Sequence, residues 1–286
     1  MKSLEGQFKQ ASFVQQYRKL DKGMRSPGTR LLEQSGVLSN PPLSSAADLK
    51  ILDNACGTGV ITSLIKEQEA FKDVEVTATD FSDAMVEIVK ERTKEEGWNN
   101  VQASVANAMD LKLPSDTFSH TITNFCFMML PDPVKGIQEA IRVTKPGGTI
   151  GFTTWNTLGW YPSAKETAER VPGCPPQPHP TEMWKKTGDW HSAEYISNLL
   201  KSPPLSLEDV KVELFPCTMA VDRAQDHAYS ELVLNILTLG WSEEQKKELT
   251  EPYRETLRQV LEEKYGKDVP VVMEYVAVVS TGRKPL

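Results

Sequence analysis

The chain is poor in the residue clusters that metal, membrane and nucleic-acid proteins need. Its four cysteines, Cys56, Cys126, Cys174 and Cys217, are far apart, with no C-x-x-C pair and no histidine at ligand spacing, so reduced thiols are expected and a zinc site is not. The histidines, His120, His179, His191 and His227, form no H-E-x-x-H or similar cluster, which leaves a metal-dependent hydrolase without ligands. No apolar run is long. Phe125 to Leu130 is the longest, far short of the roughly 20 residues that span a bilayer, and the opening MKSLEGQFKQ lacks the apolar stretch of a signal peptide. Nor is there a basic stripe: 32 Lys and Arg face 39 Asp and Glu, a net charge of −7, whereas gripping backbone phosphates takes clustered cations. A cytoplasmic protein with no nucleic-acid or membrane partner, a monomer or weak homodimer, is the expectation.

What the chain does carry is a glycine-bearing strand end. Ile51-Leu52-Asp53-Asn54-Ala55-Cys56-Gly57-Thr58-Gly59 reads as a buried strand turning through two glycines into a helix, and Asp80 closes the next apolar run. Open α/β sheets hold adenosine-containing cofactors with this arrangement. Asp53 stands four residues before Gly57, so its carboxylate is expected to point into the ligand crevice. The pyrophosphate of a dinucleotide would meet it with a like-charge penalty on the order of several kcal/mol, whereas the ammonium of S-adenosylmethionine would be attracted. Thr62 also stands where a dinucleotide fingerprint has its third glycine. An NAD-dependent oxidoreductase and a protein that binds S-adenosylmethionine without catalysis are the competing readings.

The pattern divides the chain into four parts. Residues 1–46 read as an N-terminal lid and linker, with amphipathic helices over about 8 to 38 that break near Pro27-Gly28. Residues 47–155 alternate short apolar runs with helical segments, the signature of stacked βαβ units: strands at 49–54, 74–79, 101–105, 118–125 and 149–154, with KPGG (145–148) as the turn before the fifth. Residues 156–191 form an aromatic, proline-rich cover loop without regular structure. Residues 192–286 complete the sheet with strands at 210–215 and 271–279 around a helical insertion at about 222–266, where Asp222-x-x-Gln225 and Ser242-x-x-Gln245 look like capping boxes and Thr250 is placed to cap a further helix containing Pro252.

These elements, with ILDNACGTG, TATDFSDAMV, SVANAMDLKLPSDTFSH and EAIRVTKPGGTIGFTTW, resemble the class I S-adenosylmethionine-dependent methyltransferases, and among them the ubiquinone and menaquinone C-methyltransferase group. The resemblance implies an α/β, Rossmann-like sheet of seven strands, the last antiparallel at one end, with N-terminal and inserted helical caps. The caps resemble those of fungal natural-product enzymes, including the thiol methyltransferases of gliotoxin-like dithiols. The implied activity is transfer of a methyl group from S-adenosylmethionine, leaving S-adenosylhomocysteine, to a small, largely apolar metabolite, with a thiol as best guess and O-, N- or C-methylation as alternatives.

The family pattern places Asp53 and Gly57 at the methionine moiety, Ala55 and Cys56 at the loop backbone, Gly59 at the helix start and Asp80 at the ribose. It places Phe81 and Met85 around the adenine ring, Asn107 and Ala108 at the adenine edge, and Asn124 beside the methyl donor. Ala55 replaces a glycine of the usual triple, which is tolerable if its φ is negative, and the amide oxygen of Asn107 is expected to accept from the adenine amine in place of the usual carboxylate. For the acceptor side, Phe13, Tyr17, Met24, Phe127, Met128, Trp155, Trp160 and Trp184 are candidates, because aromatic faces attract a sulfonium and hold a flat apolar ligand. For each the alternative is plain core. Tyr17, Asn124 and Trp155 are candidates for positioning. Displacement at a sulfonium methyl needs near-attack positioning rather than a covalent intermediate, and a base only where the acceptor is weakly acidic. His179 and His191 are the candidate bases, with loop or helix-capping roles as the alternative.

Overall fold

Strand and helix alternate from Lys50 onward because each short apolar run is followed by a turn residue that also caps a helix. Ser82 accepts from the amide of Met85, and Asp132 from that of Lys135 with Pro133 in the first turn, as their types favour. A computed structural model of the chain describes residues 18, 21–38, 48–228, 230–238 and 240–286. In chain order its elements are α1 (Asp21–Ser35), β1 (Lys50–Asn54), α2 (Val60–Lys66), β2 (Glu75–Asp80), α3 (Asp83–Glu95), β3 (Val101–Val105), β4 (Phe118–Thr123), α4 (Pro133–Val143) and β5 (Thr144–Thr157). There follow α5 (Tyr161–Arg170), α6 (Pro180–Met183), α7 (Ala193–Lys201), β6 (Glu208–Arg223), α8 (Ala224–Ala228), α9 (Glu231–Leu237), α10 (Glu243–Tyr265) and β7 (Pro270–Arg283). Phe13 and Tyr17 lie outside the described residues.

The seven strands order as β3-β2-β1-β4-β5-β7-β6. β1 pairs in parallel with β2 and β4, β2 with β3, and β4 with β5. At the far side the amide of Gly147 at the start of β5 donates to Lys284 O just past β7, and Lys284 N donates back to Gly148 O, each at 2.9 Å, so opposite strand ends meet as in an antiparallel pair. This corrects one expectation. β7 lies second from the edge, and β6 holds the edge.

The chain divides into two units, residues 1–156, 187–215 and 277–286, and residues 157–186 and 216–276. In the first, α3 packs on β2 and β3, α4 on β4, and α1 on α2. Its core includes Leu52, Leu111, Phe118 and Val143 in one cluster and Cys56, Ala78, Val89 and Trp98 in another. In the second, α10 carries the buried Tyr253, Leu257, Val260 and Leu261, and the Tyr253 hydroxyl donates to Ala164 O of α5 at 3.2 Å.

Several local expectations are revised. α1 runs unbroken through Pro27, which is buried with Gly28. KPGG is no turn: β5 starts at Thr144, and its pairing with β4 slips between Thr144 and Thr149, a bulge that Gly147 permits at φ +73°. The proline-rich segment contains α5 and α6, where prolines sit in first turns and so cost no hydrogen bond. α10 is one helix through Pro252, without a break at Thr250, and Ser242 with Gln245 caps it reciprocally. Asp222 falls inside β6, so the helix start expected there lies two residues further on, at Ala224.

Candidate functional site

In an open parallel sheet a ligand crevice forms at the carboxyl ends of strands whose connections leave in opposite directions, here beside β1, between β2 and β4. Register aligns the ends: Asp53 faces Ala78 of β2 and Ile122 of β4, and Asp80 faces Val105 of β3. The loop after β1 is pinned by Cys56 N to Thr79 O at 2.8 Å and by Gly57 N to Asp80 Oδ2 at 2.9 Å. Asp80 Oδ1 accepts from Ser82 N at 3.0 Å, so one carboxylate ties the glycine loop to the start of α3. Each of its oxygens keeps lone-pair capacity for a further donor. Gly57 has φ +53°, and a Cβ there would meet nothing within 4 Å, which marks open space in front of the loop. Gly59, at φ +85°, has no such room: a Cβ would stand 3.1 Å from Val89.

Ala55 departs from its expectation. Its φ is +55°, the left-handed region where a side chain costs about 1–2 kcal/mol, so the loop keeps the glycine-type geometry despite the methyl group. Asp53 departs too: it is 1% exposed, and Oδ2 accepts from Thr62 N at 3.0 Å and Thr62 Oγ1 at 2.6 Å. That oxygen serves the first turn of α2 rather than a ligand. Burial, which outweighs the Thr62 bonds, raises the Asp53 pKa to about 6, and burial raises that of Asp80.

Around the adenine expectation, Phe81 exposes its ring (36%), whereas Met85 is buried against Ile88 and Ala84. Ala108 is buried, and the exposed Asn107 turns its amide oxygen to Met109 N at 2.9 Å, so that oxygen is already engaged locally. Cys56 sits in the core, its thiol pushed up by burial. Even so, the open space at Gly57, the acceptor oxygens of Asp80 and the exposed Phe81 ring fit a methionine-linked adenosine.

Past β4, Asn124 Oδ1 accepts from Thr153 Oγ1 at 2.7 Å, and Phe125 lies on Trp155 with ring centroids 3.9 Å apart and planes at 12°. Phe127 is fully buried, edge-on to Phe152 at 5.2 Å and facing Gly136. It is a core residue, and its place among the acceptor-site candidates is withdrawn. Met128 is buried as well, and Met24 of α1 is half-buried. Trp160 and Trp184 belong to the second unit, both half-buried, Trp160 edge-on to Tyr161.

The two candidate bases each engage one ring nitrogen, Nδ1. His179 caps α6, its ring nitrogen accepting from Thr181 N at 3.3 Å, and its ring stands edge-on to Tyr161. His191 Nδ1 pairs with Asp189 at 2.8 Å. Three positions escaped the sequence reading. Asp21 of α1 accepts from Thr58 Oγ1 at 2.5 Å, which ties the N-terminal helix to the glycine loop. Arg92 donates to Thr58 O at 2.8 Å, lies 3.7 Å from Asp21 and stacks over Trp98. Thr153 is the third. A pair of threonines in the otherwise apolar GFTTW strand was the available signal.

Residues 51–148 match the family model described as a methyltransferase domain. The chain is 32% identical to methyltransferase tpcH of Aspergillus fumigatus over 286 residues, 99% of this chain and 100% of the relative. It is 30% identical to the acetylaranotin bis-thiomethyltransferase of Aspergillus terreus over 264 residues, 89% and 88% of the two chains. In fold it is similar to phosphoethanolamine N-methyltransferase 2 of Haemonchus contortus, with a TM-score of 0.55 at 14% identity over 97% of this chain and 58% of that one. With the strand order, the glycine loop and a full-length relative in agreement, the chain belongs to the class I S-adenosylmethionine-dependent methyltransferases.

Proposed function

We propose that this enzyme methylates a thiol of a small, largely apolar secondary metabolite of the fungal dithiol type. The observation that carries the reading is likeness over 89% of the chain to a relative named for bis-thiomethylation. The site's chemistry supports it. A cysteine-like thiol ionises near pH 8.5, so it needs little help from a base, whereas alcohols and most phenols need one. His179 Nδ1 is engaged in capping α6 and His191 Nδ1 lies 2.8 Å from Asp189, and a thiol acceptor asks for neither ring as a base.

Bound at the glycine loop, S-adenosylmethionine supplies an electrophilic methyl group. In this reading Asp80 takes the ribose hydroxyls, Phe81 covers the adenine with Met85 behind it, and the Asn107-Ala108 backbone meets the adenine edge. Gly57 lets the loop backbone approach, Asp53 adds negative charge near the methionine ammonium, and Asn124 and Trp155 position donor and acceptor. The buried rings keep water from the sulfonium. The enzyme acts as a cytoplasmic monomer or weak homodimer; no helix among the described residues is long and apolar enough to cross a membrane.

The test incubates the protein with reduced gliotoxin and trideuteromethyl S-adenosylmethionine, followed by mass spectrometry, with a phenol and an amine panel beside it. Labelled S-methyl product is expected. Label only on oxygen, nitrogen or carbon acceptors would replace the thiol reading, and absence of turnover with intact S-adenosylhomocysteine binding would favour a binding protein.

A further inference from the structure

We infer that Thr153 is a positioning residue for the acceptor side of the site: its single hydroxyl holds the turn after β4 in the conformation that lays Phe125 on Trp155. This rests on the thiol-methyltransferase reading for its kinetics but not for its geometry.

Thr153 is fully buried in β5, one residue past the pairing of Phe152 with Thr123 of β4. Its Oγ1 donates to Asn124 Oδ1 at 2.7 Å and accepts from Phe125 N at 2.9 Å. The only proton of the hydroxyl therefore goes to one residue of the turn, and a lone pair holds the next. Phe125 needs holding. Its φ is +53°, a region where a bulky side chain is a backbone outlier that persists only when its surroundings over-determine it.

The ring contact argues the same way. Aromatic pairs prefer an offset or edge-to-face arrangement over a face-to-face sandwich. Phe125 and Trp155 form a close, near-parallel stack, 3.9 Å between centroids at 12°, and each is 6% exposed. Thr153 bonds the backbone under one ring and stands two residues before the other, so it sits at the base of the stack. β4 adjoins β1, whose end carries the glycine loop, so the turn lies beside the methyl donor, where a displacement of about 1 Å can cost about a hundredfold in rate. The stacked rings are thus a fixed apolar wall for the acceptor, and Thr153 sets where it stands.

Thr153→Val keeps the shape and removes the hydroxyl, while Thr153→Ser keeps the hydroxyl. With reduced gliotoxin as acceptor, Thr153→Val should raise the acceptor KM about tenfold, leave S-adenosylhomocysteine affinity within about threefold, and be rescued by Thr153→Ser. Crystal structures of both variants should show the Phe125–Trp155 stack lost with valine and kept with serine. A merely structural role would lower the melting temperature without separating acceptor KM from cofactor affinity. An unchanged stack and acceptor KM in Thr153→Val overturns the inference, as does a loss confined to cofactor affinity. If Thr153→Val does not fold, Phe125→Leu, which removes the ring, must give the same rise in acceptor KM, and an unchanged KM overturns the inference. If the wild type methylates no thiol, the proposed function fails, while the two crystal structures still decide the role of Thr153.

Discussion

Asp53 and Asp80 are carboxylates withdrawn from water at the ends of neighbouring strands, each raised by burial, and for Asp53 the Asp80 charge adds to the rise while Arg92 opposes it. A ligand carrying an ammonium and a sulfonium favours their ionised forms. The sign follows: near pH 6 the cofactor-free protein holds part of a proton on Asp53, and binding expels it. S-adenosylmethionine affinity should therefore rise between about pH 5 and 7 and then level. Calorimetry at pH 6 in buffers of differing ionisation enthalpy measures the released proton; an enthalpy independent of buffer would sink the idea. Residue type and spacing brought Gly57, Asp80 and Phe81 together at one crevice. What they could not convey was direction and dihedral. Asp53 turns to Thr62, the residue that had been read only as a missing glycine, and Ala55 takes a positive φ that its side chain gives no reason to expect. Phe127 belongs to an apolar strand-end run that suits a pocket or a core equally, and its packing on Phe152 and Gly136 decides for the core.

Helix α1 meets α2 through the smallest side chain available. A Cβ on Gly28, at the middle of the helix, would stand 3.1 Å from both Ile61 and Leu64, and at the helix's start Asp21 bonds the glycine loop. Gly28→Val should force the helices apart and destabilise the protein by about 1–3 kcal/mol, the usual cost of overpacking. Urea unfolding gives that loss, and hydrogen exchange should place its fastest opening in α1; protection in α1 equal to wild type would show that the contact yields instead. Elements whose signals are local were legible: the caps at Ser82, Asp132 and Ser242 start helices where their side chains predict. Elements set by packing were not. Pro27 and Pro252 are ordinary helix breakers, yet α1 buries Pro27 and α10 buries a Tyr253-Leu257-Leu261 face, enough apolar surface to carry each helix through. Strand order beyond β5 depends on pairing between segments far apart in the chain, on which local periodicity is silent.

Across the molecule, two buried histidines add an acid-sensitive contribution to stability, opposite in sign to that of the buried aspartates. Burial lowers the His120 pKa to about 4, against an ordinary value of 6.5, and lowers that of His227 in the second unit in the same direction. With the folded pKa below the unfolded one, the unfolded chain takes up protons first, so stability is present above about pH 6.5 and is lost as pH falls toward 4. For the buried His120 the loss should reach about 1 kcal/mol by pH 5.5. Urea midpoints at pH 7.5 and 5.5 for wild type and His120→Gln check this: the variant should lose less on acidification, and an equal loss would assign the acid sensitivity elsewhere. The order β5-β7-β6 carries a consequence for how the chain is made. β6 leaves the ribosome with its only neighbour, β7, still unsynthesised, and β5 carries an open edge until Pro270 and the residues after it emerge. The edges of β5 and β6 that face β7 are thus unpaired through the making of α8, α9 and α10, and the sheet closes in one late step, before which those edges are open to pairing with another copy.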